Sequence, residues 1–231
     1  YGLIHHIRRE MGFDDTRVSF AHHMRAFDPK SPMNPFHRTG TRLMERLFQG
    51  VVTPALCRGI FKWPLRAPAT TKRGEYVDFI AVNYYTRTIV SGFSAGTRKG
   101  APLNDLGWEI YPEGMLRCLR AHYGVIQRPI YITENGTCDN TDAFRCRYIY
   151  EHLKALCGSG LPVERYYHWC FCDNFEWAEG ESARFGLVHV DYETQKRTVK
   201  KSGEFYRDVL RAGGVTEEIY EAYVKGQEYH D

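Results

Sequence analysis

Apolar runs of strand length alternate with amphipathic stretches of helix length along this chain, and that alternation restricts its fold more than any other feature. Strand-like runs occupy residues 17–22, 77–85, 131–134 and 166–172. The second, Val77-Asp78-Phe79-Ile80-Ala81-Val82-Asn83-Tyr84-Tyr85, is nearly continuous in apolar residues, as a strand covered on both faces should be. Helical stripes lie around them: Leu3, Ile4, Ile7 and Met11; Leu43, Met44, Leu47 and Phe48; Met115, Leu116 and Leu119; Ile149, Leu153 and Leu156; Phe205, Val209 and Leu210. Gly12, Gly50, Gly124, Gly158 and Gly213 mark their exits, Pro112 opens the third, and the fourth runs over 142–157. Strand then helix, four times over, predicts an α/β fold with a parallel sheet and right-handed crossovers. Long segments at 57–74 and 91–106 predict loops. Rich loops after strands fit a (β/α) barrel, whose site lies at the carboxyl ends of its strands. Such a barrel has eight strands and this pattern supplies four, so two unpaired edges and an uncovered inner face are expected. The missing half would be another chain or segment, or a second copy. Tyr1 is not Met and the first stripe begins without a cap, so the chain reads as a piece of something longer.

Composition excludes several function classes. The net charge is only +3, and no basic run is interleaved with aromatics, which argues against nucleic acid. No apolar stretch approaches membrane-spanning length. Seven Cys without a regular framework predict free thiols in a reducing, cytoplasmic setting. Aromatic residues reach 14%, enough to supply flat faces for a ligand as well as bulky core fillers.

The chemistry concentrates at Tyr131-Ile132-Thr133-Glu134-Asn135-Gly136. An apolar run that ends on a carboxylate and stops at Asn-Gly presents that acid rigidly at a sheet end. A Glu there is expensive to bury without a role. Asn83 and Tyr85, two apart, point the same way from one strand. A phenol beside a carboxylate keeps it ionised and oriented, as a nucleophile requires. His168, Cys170 and Cys172 share a face of the fourth predicted strand and raise a metal or redox reading. Three ligands on one straight strand cannot wrap an ion tetrahedrally, so buried thiols are expected instead.

Three further stretches follow the same order: Asn83-Tyr84-Tyr85-Thr86, Gly107-Trp108-Glu109-Ile110-Tyr111-Pro112-Glu113-Gly114, and Asp173-Asn174-Phe175-Glu176-Trp177-Ala178-Glu179-Gly180. With Ile132-Thr133-Glu134-Asn135-Gly136 they resemble the signatures of glycoside hydrolase family one, the β-glucosidases. Arg184-Phe185-Gly186-Leu187-Val188 and Asp191-Tyr192 continue the match. The resemblance implies the C-terminal half (strands 5–8) of a (β/α)8 TIM barrel over residues 1–231, with the N-terminal half outside this chain. It implies a retaining β-glycosidase needing no cofactor and no metal. Glu134 matches the nucleophile, Tyr85 the tyrosine bonded to it, and Asn83 a polar neighbour. Trp169 matches the platform under the sugar, Glu176 and Trp177 the groups holding its hydroxyls, and Phe185 the lining of the same subsite.

The retaining reaction needs a second, protonated carboxyl about 5–5.5 Å from the first. The family carries it in an Asn-Glu-Pro motif on the fourth barrel strand, and no such motif occurs here. The acid is therefore expected from an N-terminal half, present as a separate chain or missing segment. Glu176-Trp177-Ala178-Glu179 is intact, and a carboxylate at Glu176 would repel a phosphate, so an unphosphorylated β-glucoside or related β-glycoside is expected. Glu181-Ser182-Ala183-Arg184 stands where many members have Tyr-Ser-Lys-Arg, which leaves the contacts at the mouth of the site open. The competing expectation is a non-catalytic carbohydrate-binding or scaffold half-barrel.

Overall fold

Side chains two apart share one face of a strand, and here the face with the larger apolar residues is buried under helices. The computed structural model describes residues 1–230. In chain order the elements are α1 (Gly2–Glu10), β1 (Ala21–Pro29), α2 (Pro35–Glu45), α3 (Val52–Arg58), β2 (Ile80–Ser91), β3 (Ser94–Gly96) and α4 (Pro112–Tyr123). Then come β4 (Ile130–Asn135), α5 (Arg145–Cys157), β5 (Val163–His168), β6 (Val188–Val190), β7 (Arg197–Val199), α6 (Lys201–Ala212) and α7 (Glu217–Tyr223). Four parallel strands stand in the order β1-β2-β4-β5, and β3 folds back on β2 as an antiparallel hairpin. Met24, Val82, Tyr84, Ile130 and Ile132 pack from the sheet against Met115, Cys118 and Leu119 of α4 and Leu156 of α5. A second core joins α5, α6 and the segment after them through Tyr148, Ile149, Phe205, Val209 and Val224.

The other face of the sheet is open. Asn83, Tyr85 and Thr133 are only half-buried there, and His23 is exposed. Coverage on both faces, expected for residues 77–85, is thus met on one. Among the described residues the outer sides of β1 and β5 pair with no strand. Exposed apolar side chains, Tyr167, Phe171 and Leu210, line the β5 border; Leu3, Ile4, Ile7 and Met11 on α1 are exposed as well.

One irregularity of register matters for the site. Between consecutive rungs of the ladder, β2 advances from Val82 to Asn83 while β4 advances from Ile132 to Glu134. Against β5, β4 advances from Ile132 to Asn135 while its partner advances from Tyr166 to His168. Each comparison leaves one extra residue on β4, a bulge at Thr133–Glu134. Thr133 and Glu134 both bond to open-face side chains, and Asn135 returns to the buried side.

Several boundaries differ from the sequence pattern. The first strand is not residues 17–22 but Ala21–Pro29, because Phe27, Asp28 and Pro29 pair with Thr88, Ile89 and Val90 of an unexpectedly long β2. Val18 instead donates its backbone N–H to the Asp78 carboxylate at 2.7 Å. The loop expected over 91–106 contains the β2–β3 hairpin. The second helix begins at Pro35, capped by Asn34, whose side chain accepts from the Phe36 N–H at 2.9 Å. The fourth helix starts at Arg145 rather than 142, where the Asp139 carboxylate accepts from the N–H groups of Ala143, Phe144 and Arg145. The fourth strand of the parallel sheet, β5, ends at His168, not at residue 172, since the chain turns away at Trp169.

Several imidazole rings are shielded from solvent in this architecture. Burial lowers His22 and His152 to about 4 and His122 and His168 to about 3. Folded pKa values below the unfolded value of about 6.5 mean that the folded state binds fewer protons. Their contribution is fully present above pH 6.5 and is lost as pH falls toward 4. Unfolding free energies from urea titrations should stay level from pH 7.5 to about 6.5 and then fall down to pH 5, by up to about 1.4 kcal/mol per pH unit for each histidine.

Candidate active site

The bulge in β4 sets the geometry at the carboxyl ends of the strands. Glu134 and Asn83 are opposite one another in the ladder, and His23 is opposite Asn83 on the next strand, so the three share one rung. The Tyr85 hydroxyl donates to Glu134 Oε2 at 2.5 Å. Burial, then the hydrogen bond to and the charge of Glu134, push the Tyr85 phenol far above its ordinary range. It therefore stays protonated and donating at any working pH. Asn83 does not bond to Glu134; its Oδ1 accepts from Thr133 Oγ1 at 2.6 Å.

Three rings fix the plane of Tyr85. His23 meets it at 5.8 Å between centroids, Trp108 at 6.1 Å and Phe185 at 6.5 Å, all close to edge-on. Phe185 is 2% exposed and belongs to a small core with Cys138, Cys170 and Ala183. It is held there because Cys170 N–H donates to the Phe185 carbonyl at 3.2 Å and Leu187 N–H to the Cys170 carbonyl at 3.0 Å.

Trp169 leaves the end of β5 directly beside β4. Its N–H donates to the Asn135 carbonyl at 2.9 Å, and its indole Nε1 donates to Glu176 Oε2 at 3.4 Å. Burial raises the Glu176 carboxyl, with the Glu134 and Glu179 charges adding to the rise and the Trp169 bond opposing it. Glu176 thus faces the field of Glu134 across the open end of the sheet. Trp177 is different: its indole is 82% exposed at the start of a short 3-10 turn and is not brought against the other groups.

The structure therefore brings Glu134, Tyr85, Phe185, Trp169 and Glu176 into one neighbourhood, keeps Asn83 beside it, and leaves Trp177 at its margin. Four contributors carried no assignment in the sequence: His23, Trp108, Thr133 and Asn135. Trp108 stood within a quoted motif, but nothing local ties it to Tyr85. The metal reading has no support in the geometry. Cys170 and Cys172 lie in the loop beyond the strand, and the Cys170 thiol, pushed up to about 12 by burial, donates to the Cys172 carbonyl at 3.0 Å. Among the described residues no group of three His, Cys, Asp or Glu is placed to hold a metal ion.

Comparison with known proteins decides the family. The profile described as Glycosyl hydrolase family 1 matches residues 4–215. This chain belongs to glycosyl hydrolase family 1. A beta-galactosidase of Sulfolobus acidocaldarius is 36% identical over 216 residues, 81% of this chain and 42% of that protein. Beta-glucosidase A of Thermotoga maritima is 37% identical over 161 residues, 61% of this chain and 36% of that protein. The beta-glycosidase from Pyrococcus horikoshii superposes with a TM-score of 0.80 at 30% identity, covering 95% of this chain and 54% of that one. The Thermotoga maritima beta-glucosidase in complex with glucoimidazole gives 0.77 at 29% identity, covering 90% of this chain and 54% of that one. The chain thus spans about half the length of the solved enzymes and less of the curated ones. Its parallel sheet is part of the TIM barrel of the family 1 enzymes.

Gly136 lets Trp169 lie close against the end of β4. A Cβ there would lie 1.9 Å from the Trp169 carbonyl oxygen and 3.2 Å from the Trp169 Cβ. Gly136→Ala must therefore push Trp169 away from β4. The variant is expected to lose about 1–3 kcal/mol in a denaturant titration, with changed Trp fluorescence in its folded state.

Proposed function

We propose that this chain is the C-terminal half, strands 5–8, of the (β/α)8 barrel of a retaining β-glycosidase acting on a β-glucoside or related β-glycoside. Residues 1–231 are then one half-barrel domain, and an N-terminal half completes it. The observation that carries this reading is the Glu134 carboxylate, at the end of a parallel strand, gripped at 2.5 Å by a phenol that stays protonated. A base or a solvated turn residue has no need of such a grip; a nucleophile that must keep one oxygen aimed at an anomeric carbon does.

In this reading Glu134 attacks the anomeric carbon as the aglycone oxygen departs, leaving a covalent glycosyl-enzyme that water then cleaves. The Tyr85 hydroxyl holds the oxygen that does not attack. The Trp169 indole is the floor for the axial C–H face of the pyranose, and Glu176 accepts two sugar hydroxyls. Phe185 closes the wall behind Tyr85, Asn83 offers a polar group beside the nucleophile, and Trp177 comes onto the sugar when the barrel is complete. The N-terminal half supplies the acid, about 5–5.5 Å from Glu134 in a retaining enzyme.

A glycoside with a strongly activated leaving group needs no proton from that acid, so the nucleophile can be tested in this chain alone. Incubation with 2,4-dinitrophenyl 2-deoxy-2-fluoro-β-glucoside is expected to add one fluoroglycosyl group at Glu134, seen by peptide mass mapping, and none in Glu134→Gln. Labelling elsewhere, or none, overturns the reading. Tyr85→Phe should slow labelling about 10- to 100-fold, the worth of one hydrogen bond to a charged group. With the N-terminal half added, an aryl β-glucoside should be turned over and Glu134→Gln should abolish it. Sugar binding without turnover in any assembly would favour the non-catalytic reading instead.

A further inference from the structure

Asn135 reads in the sequence as the first half of a turn, yet it is the last residue of β4 and 0% exposed. Its side-chain amide is engaged in three directions. Nδ2 donates to the Tyr84 carbonyl on β2 at 2.7 Å and to the Tyr148 hydroxyl on α5 at 2.9 Å. Oδ1 accepts from the Tyr166 hydroxyl on β5 at 2.8 Å. These bonds use both amide hydrogens and bring the middle strand, both its neighbours and a covering helix to one point.

The two residues joined by this pin are the immediate chain neighbours of the reacting pair. Asn135 follows Glu134, and Tyr84 precedes Tyr85. The bulge leaves Thr133 without a partner on β2, and Thr133 and Glu134 without partners on β5, so the ladder holds Glu134 from the β2 side alone. The buried amide supplies the constraint that the bulge takes away. Tyr148 adds to it from the helix side, its hydroxyl lying 3.5 Å from the Tyr85 carbonyl.

We propose that Asn135 is a positioning residue: its amide, held by Tyr148 and Tyr166, sets the separation of Glu134 and Tyr85 and so the rate of nucleophilic attack. The inference rests on Glu134 being the nucleophile. A purely structural amide would affect stability and leave the attack step of the folded fraction alone. A positioning amide must change that step while leaving sugar affinity intact.

Tyr148→Phe and Tyr166→Phe each remove one partner of Asn135 and keep the ring that packs the core; Asn135→Asp keeps the shape and removes both donations. In labelling by the same fluoroglucoside, binding and attack separate through the dependence of rate on reagent concentration. The attack rate constant is expected to fall about tenfold in each Tyr→Phe variant, with the binding constant unchanged within about twofold. The double Tyr variant should lose less than the product of the single losses, because both act through one amide. Unchanged attack rates in both single variants, with circular dichroism showing them folded, would overturn the proposal. If the unaltered chain takes no label, the nucleophile reading fails by itself, and the positioning claim is read without sugar. The Tyr85 hydroxyl proton, assigned in NMR spectra by its loss in Tyr85→Phe, should then exchange with water at least about tenfold faster in the variants. Equal exchange would overturn it.

Discussion

A single extra residue in the middle strand is what the rest of this site depends on. Parallel ladders carry alternate side chains to opposite faces, and a strict alternation would send Glu134 back into the helix-covered core. With one residue bulged at Thr133–Glu134, threonine and glutamate both reach the open face, and Asn135 takes the buried position that Glu134 would have had. A carboxylate thereby arrives at the mouth of the sheet without a charge being buried, and a neutral amide with three partners fills the place beneath it.

The parts around the pair follow from that choice. Tyr85 could bond to any acceptor on the open face; the edge-on rings of His23, Trp108 and Phe185 leave it one plane. Trp169 approaches β4 as closely as it does because Gly136 has no side chain. The segment beyond Trp169 is then tied to Phe185 and Leu187 through Cys170, and the Asp173 carboxylate fixes it, accepting from Gly186 N–H at 2.9 Å and from Lys200 Nζ at 2.8 Å. Backbone geometry, rather than any one strong contact, assembles the group.

Much of this was legible from residue types. The parallel sheet followed from apolar runs alternating with helical stripes, whereas the pairing of Tyr85 with Glu134 came only with the family resemblance. Family motifs pointed to Trp169, Glu176 and Phe185, which lie together. Other features could not be read. Phe27-Asp28-Pro29 looks like a strand terminator, and only its pairing with residues 88–90 makes it strand. Asn-Gly after a carboxylate signals a turn by propensity, whereas the buried phenols that make Asn135 a core residue come from positions 148 and 166. A bulge leaves no trace in composition, since it exists only relative to neighbouring strands. Trp177 lies in a family motif yet is 82% exposed, which the motif alone does not reveal.

The unpaired outer sides of β1 and β5 have a consequence for handling the protein. Among the described residues each offers a row of backbone groups with no neighbouring strand, and Phe171 and Leu210 lie exposed beside β5. With a net charge of only +3, long-range repulsion between molecules is weak. Edge-to-edge pairing between molecules is therefore open to the chain. Each such contact needs two molecules to meet, so its rate rises steeply with concentration.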